Sequence, residues 1–157
     1  MRTLAIDLGT RRIGLAMSDE GGRIATPYEQ LTITSPASAI EPLTRIVQDQ
    51  DVKRIVVGLP LNMDGTLGPA ARKTIAWAAD LSTRTGMATV FVDERLSSFD
   101  AEQTLIDRKR AGEKLSRKSK KRKLDALAAA SFLQAFLDGK IQSLPVGAAN
   151  SQSAPGT

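Results

Sequence analysis

The chain contains no cysteine and no histidine. Without cysteine there is no disulfide, no thiolate nucleophile and no Cys-based zinc site. Without histidine as well, a zinc site has lost its usual ligands and imidazole general acid–base chemistry is excluded. No apolar run approaches the roughly 20 residues of a membrane span. The N-terminus does not read as a signal peptide, because Asp7 interrupts it and no apolar core follows. These absences imply a cytoplasmic protein. They leave carboxylates, Lys, Arg, hydroxyls and a hard cation as the available chemistry.

What is present is enough for one folded domain. At 157 residues with 41% apolar content, a real core is expected. The net charge of +5 is unevenly placed: Arg108 to Lys123 holds ten Lys or Arg and one acid, Glu113, so it carries +9 and the remainder 5 − 9 = −4. A mildly acidic body with one basic segment suggests a polyanion-binding surface. The plainer reading is a solvated loop of mutually repelling charges.

The first apolar stretch, Thr3 to Ile6, predicts a strand buried on both faces, with Asp7 at its end. A carboxylate there is costly to bury alone. It needs a cation, a set of donors or a raised pKa, unless it simply accepts hydrogen bonds from its own turn. Gly9-Thr10 turns the chain into a second strand, Arg12 to Ser18. Arg23 to Thr26 predicts a third, ended by Pro27. A helix follows over Ser38 to Asp49, with Leu43, Ile46 and Val47 as its apolar stripe. Lys53 to Gly58 is a buried strand leaving through Leu59-Pro60-Leu61-Asn62-Met63-Asp64-Gly65. In an open α/β sheet such exits line the ligand crevice, so Asn62 and Asp64 face substrate or only stabilise the loop. Pro69 to Thr85 reads as a helix with Ile75, Ala78, Ala79 and Trp77 inward and Gly86 as its terminator. Met87 to Val92 is the next strand, delivering Asp93 and Glu94, which strand alternation sends to opposite faces. Ser97 or Ser98 caps a helix to about Asp107. Lys123 to Leu137 is the last helix, stopped by Gly139. Asp125 lies in its first turn, three, four, seven and eleven positions before Ala128, Ala129, Phe132 and Phe136, on the core-facing side. An acid favoured by the helix dipole is the alternative. The domain is expected over 1–140, with a disordered tail over 141–157.

Three element ends thus each offer an acid. Clustered carboxylates raise one another's pKa. Divalent cations remove that penalty, and Mg²⁺ suits carboxylates, water and phosphate oxygens. Two such ions about 3.5–4 Å apart activate water and stabilise a leaving oxygen. With the basic segment holding the backbone of a polyanion, phosphodiester hydrolysis is the leading reading.

The stretches A-I-D-L-G-T-R-R-I-G-L-A-M-S-D, V-V-G-L-P-L-N-M-D-G, V-D-E-R-L-S-S and K-K-R-K-L-D-A-L-A-A-A resemble the YqgF family of the ribonuclease H-like superfamily. The similarity runs from about Leu4 to Asp138. It implies an α/β fold: a mixed five-stranded sheet, antiparallel over its first three strands and parallel over two more, flanked by helices. It implies a nuclease for the 5′ end of pre-16S ribosomal RNA or a Holliday-junction resolvase, with ribosomal particles as partners and a monomer or homodimer as assembly. Asp7, Glu94 and Asp125 match the family's acidic residues and would hold Mg²⁺ or Mn²⁺. This selects Glu94 over Asp93. Thr10, Arg12, Asn62, Arg95, Lys120, Lys121, Arg122 and Lys123 are the expected substrate contacts. Related resolvases carry a further acid where this chain has Ala128, which counts against junction cleavage. D-L-G-T also resembles the phosphate loop of actin-like ATPases, but this chain lacks a D-x-G-G loop and the length for two such domains. A non-catalytic nucleic-acid-binding factor is the remaining reading.

Overall fold

The structure, a computed structural model, describes residues 1–96 and 117–145; at Leu96 and over 117–125 it describes the backbone alone. The helix expected from Ser97 or Ser98 and the chain past residue 145 lie outside the described residues.

The strands are β1 (Thr3–Leu8), β2 (Arg12–Ser18), β3 (Ala25–Thr32), β4 (Arg54–Leu59) and β5 (Ala88–Asp93). The helices are α1 (Ile40–Asp49), α2 (Pro69–Thr85) and α3 (Arg117–Leu137), with 3-10 turns at Pro36–Ala39 and Glu94–Leu96. The sheet order is β3-β2-β1-β4-β5. The β1–β2 and β2–β3 pairs are antiparallel, whereas β1–β4 and β4–β5 are parallel. This is the mixed sheet expected from the sequence.

Both faces of the sheet are covered, which is why its inner strands read as unbroken apolar runs. Leu4, Ile6, Ile55, Val57, Leu59 and Phe91 pack under α1 and α2, against Leu43, Val47, Ile75, Ala78 and Leu81. The alternate residues Ala5, Ala16, Val56 and Val92 pack under α3, against Ala129, Ala130, Phe132 and Leu133. Alanines on both sides of that second layer bring α3 close to the sheet. Gln134 fixes it there, accepting from the Ala25 amide at 2.8 Å and donating to the Arg23 carbonyl at 2.9 Å. Among the described residues no helix is long and apolar enough to cross a membrane.

The third strand runs past Pro27 instead of ending there. β3 is an edge strand, and its register with β2 shifts between Leu15 and Ala16, so Pro27 sits at a bulge where its missing N–H breaks no ladder bond. Ala79 faces solvent, and Thr74 and Leu81 take the inward positions of α2. Gly86 closes α2 in the left-handed region at φ 71°. The last helix starts at Arg117, six residues earlier than expected, so the C-terminal half of the basic segment has a helical backbone. Within the segment expected as a tail, the Leu144 amide donates to the Phe91 carbonyl of the edge strand β5 at 2.7 Å.

Candidate active site

Asp7 is the fifth residue of β1, and Glu94 opens the 3-10 turn that follows β5. Both lie at the C-terminal ends of parallel strands, where an α/β sheet opens its ligand crevice. The face follows from alternation: Ala5, Val56 and Val92 point to α3, so Asp7 and Glu94, two residues on, point there too. α3 reaches across to touch the 94–96 turn.

The two carboxyls meet. Burial pushes the Glu94 carboxyl up to about 8, helped by the charge of Asp7, a hydrogen bond to Asp7 and the charge of Asp93. At neutral pH Glu94 therefore carries a proton, and its O–H donates to the Asp7 carboxylate. The shared proton does for this pair what a cation would do. All donors are carboxylate oxygens, which fits a hard divalent ion and not a soft one. Among the described residues no group of three or more acids or metal-ligating side chains is placed to hold a metal. The third candidate, Asp125, stands on α3 one turn before Ala129, and its side chain lies outside the described residues.

Asp93 points the other way and has its own partner. Arg95 grips it with Nε at 2.9 Å from Oδ1 and Nη2 at 2.7 Å from Oδ2, which holds the Asp93 carboxyl below the usual range. The same guanidinium donates through Nη1 to the carbonyls of Asn62 at 2.8 Å and Met63 at 3.0 Å. Arg95 thus ties the β4 exit loop to the end of β5. That loop is also bonded within itself. Asn62 Nδ2 donates to Thr66 Oγ1 at 3.0 Å, and Asp64 Oδ1 accepts from the Thr66 hydroxyl at 2.6 Å and its amide at 3.0 Å. Asp64 is held below its usual range by those bonds. Of the expected substrate contacts, Asn62 and Arg95 both bond within or to this loop.

Thr10 is exposed at the tip of the β1–β2 hairpin, beside half-buried Arg12, whose carbonyl accepts from the Gly9 amide at 2.9 Å. Lys120, Lys121, Arg122 and Lys123 lie on the first turns of α3, where the backbone alone is described. Asp93, weighed against Glu94 from the sequence as a site acid, instead anchors Arg95. Gly58, which lies between the two acids, was not singled out from sequence; a glycine inside an apolar strand was the available signal.

Comparison with known proteins gives a consistent picture. The RuvX family, described as Holliday junction resolvase, matches residues 1–139. A protein of Anaeromyxobacter sp. (strain K) named "Putative pre-16S rRNA nuclease" is 44% identical over 138 residues, covering 88% of this chain and 97% of the relative. One of the same name from Geobacillus thermodenitrificans (strain NG80-2) is 42% identical over 142 residues, covering 89% and 99%. Among solved structures, Thermus thermophilus RuvC in complex with a Holliday junction substrate superposes with a TM-score of 0.55 at 17% identity, covering 92% of this chain and 100% of that one. That likeness shows a ribonuclease H-like fold.

Proposed function

The chain belongs to the RuvX family, described as Holliday junction resolvase, and from that membership we propose that it is a metal-dependent endonuclease that hydrolyses phosphodiester bonds in 5′-end maturation of pre-16S ribosomal RNA. The observation that carries the reading is the hydrogen-bonded pair of Asp7 and Glu94 at the strand ends. Curated relatives over almost their whole length bear a name of that activity.

Asp7, Glu94 and Asp125 would hold Mg²⁺ or Mn²⁺, which supplies an activated water and neutralises charge on the scissile phosphate. Asp7 is held by a strand in the middle of the sheet, so its carboxylate has little freedom to move. Glu94 closes over it from β5. Lys120, Lys121, Arg122 and Lys123 hold backbone phosphates, with Thr10 and Arg12 contacting the strand from the hairpin. Asn62 and Arg95 act from the β4 exit loop, Arg95 by keeping that loop against the site. The reading includes precursor RNA on ribosomal particles as substrate, a cytoplasmic location, a monomer or homodimer, and a nuclease domain over 1–140 followed by a tail over 141–157.

Asp7→Asn removes a charge without removing volume. Cleavage of ribosome-bound precursor RNA should fall by at least about a hundredfold, the scale of losing a group that organises the reacting centre. RNA binding should stay close to wild type. Cleavage that survives in the variant, or in chelator, would overturn the metal assignment.

The description of the family favours a second reading, resolution of DNA four-way junctions. Ala128 stands where the resemblance puts a further acid in resolvases, so RNA is preferred here. Side-by-side cleavage of a four-way junction and of precursor RNA decides between them.

A further inference from the structure

We propose that Gly58 is the positioning residue of this site: by having no side chain it lets Glu94 close on Asp7, so that the two carboxylates can hold one divalent cation. The cation half of this inference rests on the function proposed above; the geometric half does not.

β1 and β5 are not neighbours, because β4 lies between them. At about 4.8 Å per strand spacing, their backbones stand about 10 Å apart. Aspartate and glutamate can meet across that distance only over the top of β4. The register pairs Ile6 with Val57 and Gly58 with Val92, so Gly58 is the β4 residue between Asp7 and the end of β5. Val56 points toward α3, and position 58 therefore does too. A Cβ there would come 3.0 Å from the Glu94 Cβ and 2.9 Å from Cε2 of the Phe132 ring. The Phe132 contact is closer than real Cβ atoms essentially ever come, and the Glu94 contact is tighter than nine in ten real ones, so Glu94 would have to give by a few tenths of an ångström. Neither obstacle is a pliable chain end. One is the root of the Glu94 side chain, and the other is a ring that is 1% exposed.

Gly58 has no left-handed φ to explain it; the described glycines with positive φ are Gly22, Gly65, Gly86 and Gly139. A glycine inside a buried strand costs stability and packs nothing. What it provides here is space, shared between the Phe132 ring and Glu94. Phe132 belongs to α3, so the same gap also sets how closely that helix, with Asp125 about two turns earlier, lies over the strand ends.

The competing explanation is that Gly58 only admits the Phe132 ring. The test separates the two with full-length wild type, Gly58→Ala, the double variant Gly58→Ala/Phe132→Leu, and Asp7→Asn. Each is titrated with Mn²⁺ alone by calorimetry, and its stability is measured in denaturant. Gly58→Ala should lose at least tenfold in Mn²⁺ affinity, the usual loss when support for a ligand is removed. The double variant should recover stability, because the ring has gone, yet stay weak for Mn²⁺, because the clash with Glu94 remains. Unchanged Mn²⁺ affinity in Gly58→Ala, or full recovery in the double variant, would overturn the proposal. If wild type and Asp7→Asn respond to Mn²⁺ alike, the metal reading fails instead. Crystal structures of metal-free wild type and the double variant then decide the geometric half: Glu94 should have left Asp7 in the variant, and a retained hydrogen bond between them refutes it.

Discussion

Asp93 and Glu94 are adjacent acids with opposite fates. Strand alternation says that they cannot share a face, but it does not say which one joins Asp7. The deciding facts are Arg95, which claims Asp93, and the open space at Gly58, which admits Glu94. The second is not visible from spacing, because it crosses from β4 to β5, and the first, though only two residues apart, depends on the Arg95 rotamer that also reaches the β4 exit loop. The electrostatics of the pair give a prediction at this scale. In the folded protein Glu94 titrates at about 8, against 4.5 for an ordinary glutamate. Between those values the unfolded chain has already released the proton that the native state keeps. Stability of the metal-free protein therefore falls as pH rises from 4.5 to 8, and the slope from this group vanishes above that window. The total is on the order of a few kcal/mol. Glu94→Gln should flatten this stretch of the pH–stability curve and be more stable than wild type at pH 8. Denaturant titrations at pH 5 and pH 8 check it; a variant as steep as wild type would contradict it. Mg²⁺ should stabilise the wild type more at pH 8 than at pH 5, because it competes with the proton for the pair.

At the scale of elements, apolar pattern located all five strands and the three described helices, because burial on one or both faces leaves a period in the chain. Its failures were at boundaries set from outside the element. Pro27 reads locally as a stop, and only its place on an edge strand, at a bulge, lets β3 continue to Thr32. The α3 start is hidden because Arg117 to Lys123 carries no apolar period at all. Ile141 to Leu144 reads as the beginning of a polar tail, yet Leu144 finds the free edge of β5, a partner no local rule supplies. The β4 exit loop was legible as a loop, but not as a crosslinked one. Its bonds predict a separable effect of Arg95→Ala. Amide exchange at Asn62, Gly65 and Thr66 should quicken, since those amides are bonded only within the loop that Arg95 holds. Global stability should fall by roughly 1–3 kcal/mol, because the largely covered Asp93 carboxylate loses its bidentate partner. Equal exchange in variant and wild type would mean that the loop needs no anchor on β5.

For the whole molecule, charge and site are arranged in series along one helix. The body is mildly acidic, and its excess of cations is gathered in Arg108 to Lys123. The C-terminal part of that run forms the first turns of α3, and the later turns of the same helix pack on the layer from which Asp7 and Glu94 project. On the function proposed above, a polyanion drawn to the run is brought along α3 toward the strand ends. Binding and cleavage should then be separable. Replacing Lys120, Lys121, Arg122 and Lys123 together with Gln removes four cations that are proposed to meet phosphates. The slope of log affinity against log salt for single-stranded RNA should become shallower by about 3, at about 0.7 for each phosphate no longer neutralised. Affinity should drop most at low salt, where released counterions contribute most. Asp7→Asn should keep the wild-type slope, because Asp7 meets no more than the scissile phosphate. Filter-binding or anisotropy titrations across a salt series test both. A quadruple variant with an unaltered slope would move the RNA-binding surface off α3, and a shallower slope in Asp7→Asn would show that the acidic pair also orders the bound strand.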